Sequence, residues 1–173
     1  PEPREIASGV VPRIKLPGRM MPLEVDHVPD DDQPFFAKLR VEGTQRLFKT
    51  GKGELYFGVY LDPLYNVHWN NRAGRVKLEF KTEGNVILDQ QILTSAEVKE
   101  DADVDPRQFL IEATFMDQSA PLIVNLTYTV CDDAETFCIE VTQEYHIYGR
   151  SNTNLGTRPG IFLNEMFANV RGM

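Results

Sequence analysis

The chain has 173 residues, enough for one domain with a hydrophobic core but few for two. Its 26 acidic and 18 basic residues give a net charge of −8, which repels a phosphate backbone, so we expect no nucleic-acid partner. No apolar run approaches the roughly 20 residues that span a bilayer. We therefore expect membrane association only through other parts of a longer protein.

The first 34 residues predict an irregular amino-terminal strap or linker. Seven of them are proline, and each proline removes a backbone donor and fixes φ. We expect residues 1–34 to lie along the domain or to lead into it.

From residue 35 onward, apolar and polar residues alternate with period two, which is typical of strands with one buried face. The candidate strands lie at residues 35–41, 55–61, 76–80, 86–88, 109–116, 122–130 and 137–148. About seven or eight strands separated by turns favour an all-β fold, an immunoglobulin-like antiparallel β-sandwich over residues 35–150. A closed barrel is the alternative.

Residues 151–173 predict a carboxy-terminal tail with a short helix. In this tail Phe162, Met166 and Val170 recur at helical spacing. The helix would either end the domain or begin whatever follows in a longer chain.

The only cysteines are Cys131 and Cys138, each at the turn end of a candidate strand. A hairpin would bring their Cα atoms within the roughly 7 Å that a disulfide needs. Strand parity places both sulfurs on the face opposite the apolar one, where a thiolate can attack the bridge. A structural staple is an equally open interpretation. A metal site is less favoured, because two thiolates would need further ligands from outside the loop, and we expect no bound cofactor.

The hairpin resembles a known family. The run Leu126-Thr127-Tyr128, then Cys131, an acidic loop and Phe137-Cys138, is similar to the amino-terminal periplasmic domain of the thiol:disulfide interchange protein DsbD, the disulfide-bond corrector domain family. The similarity covers roughly residues 50–148.

The resemblance implies an immunoglobulin-like fold, a periplasmic or otherwise extracytoplasmic location in a bacterium, and a relay of electrons between thioredoxin-like partners. In the family the second cysteine forms the mixed disulfides and the first resolves them. These roles would fall to Cys138 and Cys131. The cap loop of the family would correspond to residues 98–108. Within this region we expect Glu100–Asp105 to be a loop and not a strand, because acidic residues disfavour strands.

Several other side chains are candidates for shielding the sulfurs or contacting a partner. They are Tyr65, His68, Trp69, Glu100, Asp101 and Phe137. For Trp69 we favour packing at a sandwich edge, with its N–H bound to a carbonyl. The sequence does not place His68 near the cysteines. Tyr56 and Tyr60 face outward from an alternating strand, so we expect either the strap or a partner to cover them.

Two functions are consistent with these residues. The first is a thiol:disulfide exchange module that is driven by its partner, because the acidic loop residues Asp132, Asp133 and Glu135 disfavour a nearby thiolate. The alternative is a non-catalytic binding or spacer module of an exported multidomain protein, in which the disulfide is structural. Its contact surface would be the aromatic loop at residues 65–69.

Overall fold

A computed structural model of the chain describes residues 6–30 and 32–152, so the predicted carboxy-terminal helix lies outside the described residues. The strands are β1 (Met20–His27), β2 (Ala37–Thr44), β3 (Lys52–Leu61), β4 (Val67–Asn70), β5 (Lys77–Lys81), β6 (Val86–Leu88), β7 (Ile92–Thr94), β8 (Ala102–Asp103), β9 (Arg107–Phe115), β10 (Leu122–Asp132) and β11 (Cys138–Ser151). A helix, α1 (Gln45–Thr50), joins β2 to β3, and a 3-10 turn (Pro63–Tyr65) precedes β4. No helix within the described ranges is long and apolar enough to cross a membrane.

The 11 strands form one continuous antiparallel sheet in the order β6-β9-β3-β2-β1-β11-β10-β4-β8. The strand β5 also pairs with β10, and β7 pairs with β5. The all-β, antiparallel prediction is confirmed, and each of the seven candidate strands overlaps an observed strand.

The strand β1 joins the two halves of this sheet. Residues 20–22 pair with β2, whereas Leu23 and the residues after it pair with β11. The register shifts between Leu23 and Glu24. Such an irregularity bends a strand, so that one strand can pair with both halves.

The core lies between the two halves, because the buried side chains of both belong to one hydrophobic cluster. The rings of Phe57 in β3 and Phe80 in β5 are 5.2 Å apart. Deeper in the fold, the backbone N–H of Ala37 in β2 donates to the Tyr128 hydroxyl of β10 at 3.1 Å. These contacts hold β10, and therefore the cysteine hairpin, against the opposite half.

The predicted irregular structure of residues 1–34 is wrong over β1. Its Leu23 is 1% exposed and belongs to the core, although Pro22 lies directly before it. The density of prolines conceals this strand in the sequence. Between residues 8 and 19 the chain has no helix or strand.

The carboxylate of Asp105 anchors this irregular part of the strap. It accepts hydrogen bonds of 2.7–2.8 Å from the backbone N–H groups of Gly9, Val10 and Val11. Further along, the N–H of Ile14 donates to Gln108, whose side-chain amide donates to Tyr56. The strap is therefore linked to Tyr56 through Gln108. Cover by the strap is one of the two arrangements that we expected for Tyr56.

The loop predicted over Glu100–Asp105 contains the two-residue strand β8. An acidic residue fits this ladder because the carboxylate of Asp103 is paired, at 2.7 Å, with the guanidinium of Arg107. The Asn71 side chain donates to the same carboxylate. These contacts outweigh the low strand propensity of acidic residues on which the loop prediction rested.

Candidate functional site

The strands β10 and β11 pair without interruption from Leu122 to Cys131, and their register places Cys131 opposite Cys138. The Cα atoms are 4.0 Å apart and a disulfide joins the sulfurs. The expected bridge at the mouth of the hairpin is therefore present. It links the last cross-strand pair of the ladder before the turn.

Asp132 organises the turn beyond the bridge. Its carboxylate accepts from the backbone N–H groups of Thr136 and Phe137 at 2.6 and 2.8 Å, and from the Thr136 hydroxyl at 2.6 Å. The hydroxyl hydrogen bond is the main reason why the pKa of Asp132 lies below its ordinary value. Glu135 adopts a φ of 59°, a left-handed conformation that reverses the chain. The turn thus has a defined shape that fixes where Asp133 and Glu135 lie.

The two cysteines differ in exposure. Cys138 is exposed, whereas Cys131 is 3% exposed. Strand parity correctly keeps Cys131 out of the hydrophobic core cluster. Its expected accessibility is wrong, because the acidic turn folds back over the outer face of the hairpin and meets His68 beside it.

His68 lies on β4, directly opposite Cys131 in the pairing of β4 with β10. Its ring is 1% exposed. Its Nδ1 is 3.0 Å from an Asp133 carboxylate oxygen, and its Nε2 is 2.8 Å from a Glu135 carboxylate oxygen. The Nε2 contact is short, but its geometry is not that of a hydrogen bond. One potential ligand atom from each of His68, Cys131 and Glu135 lies within 4.8 Å of the others.

Sequence reasoning missed this position of His68. The signal in the sequence was the short alternation of Val67 and Trp69 with His68 and Asn70, which is typical of a strand, although the structure buries His68 as well. Even with β4 recognised, its pairing with β10 depends on long-range contacts that no local pattern contains.

A cluster of three aromatic side chains lies beside the exposed Cys138. Phe137, 44% exposed, is 6.1 Å from the ring of Phe36, which in turn is 5.1 Å from the ring of Tyr65. Leu64, next to Tyr65, is 83% exposed. The structure thus brings two of the candidate surface residues, Tyr65 and Phe137, together through Phe36.

Trp69 does not belong to this surface. It is 2% exposed, and its ring lies 5.7 Å from that of Tyr128. Its indole N–H donates to the backbone oxygen of Asp105 at 2.7 Å. The favoured packing role is therefore the one observed, and Trp69 offers no contact surface to a partner.

Glu100 and Asp101 lie across β4 from the hairpin. Their backbone oxygens accept hydrogen bonds from the side chain and backbone of Asn71. The adjoining β8 pairs with the edge of β4 opposite β10. Within the described chain, the acidic side chain that lies near the buried cysteine is that of Glu135.

No family model, curated protein or solved structure matches this chain. The resemblance of roughly residues 50–148 to the DsbD domain family therefore depends on the sequence pattern alone. A function for the chain has to be inferred from the geometry of the site.

Proposed function

We propose that this chain is an extracytoplasmic, immunoglobulin-like domain that exchanges its Cys131–Cys138 disulfide with the thiols of a thioredoxin-like partner. The observation that carries the proposal is the unequal exposure of the two sulfur-bearing residues. Cys138 is exposed and Cys131 is 3% exposed. A disulfide that joins one exposed and one buried cysteine offers the sulfur of the exposed cysteine to an attacking thiolate.

The exchange begins when a partner thiolate attacks Sγ of Cys138. The bond between the cysteine sulfurs breaks, Cys131 leaves as a thiolate, and a mixed disulfide joins Cys138 to the partner. The partner's second thiolate then attacks the partner's first sulfur, which is bonded to Cys138 in the mixed disulfide, and releases Cys138. Two electrons pass to this domain, both cysteines take up protons, and the partner dithiol becomes a disulfide.

The reduced pair passes its electrons on by the reverse sequence. The Cys138 thiolate attacks the disulfide of a second thioredoxin-like protein, and Cys131 resolves the mixed disulfide. The acidic side chain of Glu135 lies near Cys131, and that of Asp133 contacts the neighbouring His68. Their charge disfavours a free thiolate, which suits a pair that reacts only when a partner is docked.

The exposed aromatic and aliphatic side chains supply a docking surface for that partner. Phe137 precedes Cys138 in the chain, and Tyr65 and Leu64 lie on the neighbouring turn. Exposed apolar groups around a reactive disulfide favour contact with another protein.

The test is equilibration of the oxidised domain with reduced thioredoxin and with a dithiothreitol series. We expect rapid exchange and a reduction potential above about −300 mV, the region below which structural disulfides fall. A thioredoxin variant without its resolving cysteine should be trapped on Cys138 and not on Cys131. A potential well below this value, together with no exchange, contradicts the proposal.

The alternative function is a binding module in which the bridge is a staple, and the ordered turn held by Asp132 favours it. A Cys131→Ser, Cys138→Ser double variant separates the two. We expect it to fold, because neither cysteine belongs to the core cluster, and to lose about 2–3 kcal/mol of unfolding free energy. If it retains full activity towards its partner, the redox function is wrong.

A further inference from the structure

The Nε2 atom of His68 is a buried polar atom without a hydrogen-bond partner, although the side chain is 1% exposed. The other ring nitrogen, Nδ1, lies 3.0 Å from the Asp133 carboxylate. With its ring proton on Nδ1, from which it is donated to Asp133, His68 presents a lone pair at Nε2. A carboxylate oxygen of Glu135 lies 2.8 Å from that lone pair. In this tautomer the Nε2 lone pair and the Glu135 oxygen can bind one cation together.

Cys131, which the pairing of β4 and β10 places opposite His68, adds a sulfur to this pair of atoms. Potential ligand atoms of His68, Cys131 and Glu135 lie within 4.8 Å of one another. Bonds of about 2.0–2.3 Å to a tetrahedral zinc ion would place such atoms about 3.3–3.8 Å apart. Small side-chain movements are enough to close this difference.

Cys138 would provide the fourth ligand. Its Cα is 4.0 Å from that of Cys131 because the ladder of β10 and β11 holds the two residues opposite each other. The ladder does not depend on the disulfide, so both sulfurs stay adjacent after reduction. A disulfide sulfur carries no charge and binds metal weakly, whereas a thiolate is a strong ligand.

We propose that the reduced hairpin binds one Zn²⁺ ion through the thiolates of Cys131 and Cys138, Nε2 of His68 and a carboxylate oxygen of Glu135. A dithiol or phosphine first reduces the bridge with two electrons and two protons. The zinc ion then replaces the two thiol protons, which are released to solvent. Thiolate and imidazole ligands suit zinc better than magnesium or calcium.

The surroundings of His68 support this ligand set. The hydrogen bond from Nδ1 to Asp133 is the outer contact that orients a metal-binding histidine and fixes its tautomer. The ion also neutralises the negative charge that Glu135 and two thiolates would otherwise place together. The site thus binds metal only in the reduced state.

This inference deepens the proposed function, because zinc would hold both sulfurs and so stop the reduced domain from passing its electrons on. It requires that the bridge can be reduced, but not that thioredoxin does so. Reduction by a phosphine therefore tests the zinc site independently of partner exchange.

The experiment is a Zn²⁺ titration of the full chain, reduced with a phosphine or left oxidised, in competition with a chromophoric chelator. We expect one ion per reduced chain and none per oxidised chain. Co²⁺ in place of zinc should give tetrahedral visible bands and a thiolate charge-transfer band. Bound zinc should also slow reoxidation of the two thiols.

The ligand variants are His68→Gln and Glu135→Gln, each expected to weaken binding about tenfold or more. The matched controls are His146→Gln and Glu144→Gln, since His146 and Glu144 form a similar pair, 2.8 Å apart, on β11. Both controls should bind like the unmodified chain. The side chain of Glu135 is 33% exposed, so its variant keeps the test valid even if His68→Gln does not fold. No binding by the reduced chain, equal binding by the oxidised chain, or ligand variants that match the controls would overturn the proposal.

Discussion

Cys131 and Cys138 share one bond but lie in different surroundings. Cys138 is open to solvent, while the acidic turn and His68 lie around Cys131, which is 3% exposed. A reagent reaches the first sulfur directly and the second only after the turn moves away. The direction of attack thus follows from the surroundings of the two cysteines, which strand parity alone does not distinguish.

Single-cysteine variants measure this difference. We expect the thiol of Cys138 in a Cys131→Ser variant to react with a small disulfide reagent about tenfold faster, or more, than the thiol of Cys131 in a Cys138→Ser variant. The rates should converge in denaturant, which serves as the control. Equal rates in the folded proteins would mean that the turn does not protect Cys131.

Among the elements, residues 9–11 of the irregular strap are held by the carboxylate of Asp105. Burial acts to raise the pKa of Asp105, but the N–H groups of Gly9, Val11 and Val10 together hold it below its ordinary value. A carboxyl group with a lowered pKa stabilises the folded state above its unfolded value of about 3.9. That stabilisation disappears as the pH falls through the lower, folded value.

We therefore expect the strap to detach in acid before the sheet unfolds. The protection of the residue 9–11 amides against hydrogen exchange should fall at low pH, and an Asp105→Asn variant should show the same loss of protection at neutral pH. The variant should lose about 1–3 kcal/mol of unfolding free energy, because an amide oxygen accepts these hydrogen bonds more weakly than a charged carboxylate does. An Asp101→Asn variant, at an exposed position, is the control. Unchanged protection in Asp105→Asn would show that other contacts hold the strap.

At the scale of the whole molecule, the sequence predicted the strands whose two faces differ. The strand β10 alternates buried and partly buried residues from Leu122 to Val130, and this pattern is visible without a structure. The pairing of the cysteines followed from the same pattern. Local alternation therefore determined most of the sheet and the hairpin that bears the disulfide.

The parts that escaped prediction depend on contacts between distant residues. The prolines around Leu23 conceal β1, and β4 has only 4 residues, too few for its alternation to stand out. The burial of Cys131 arises from a turn that folds back onto another strand. Each of these features requires knowledge of which strands become neighbours, and a one-dimensional pattern does not contain it.

The position of β1 between β2 and β11 has a consequence for self-association. Without it, both neighbours would present a row of unpaired backbone groups, the template on which other chains add strands. A chain shortened to start after His27 should therefore assemble into larger species on size-exclusion chromatography. A chain that starts at Met20 retains β1 and should not, and a peptide of residues 20–27 added in trans should reverse the assembly by supplying the missing strand. If the shorter chain elutes like the longer one, β2 and β11 are protected by some other means, and this amino-terminal strand is dispensable for keeping copies of the domain apart.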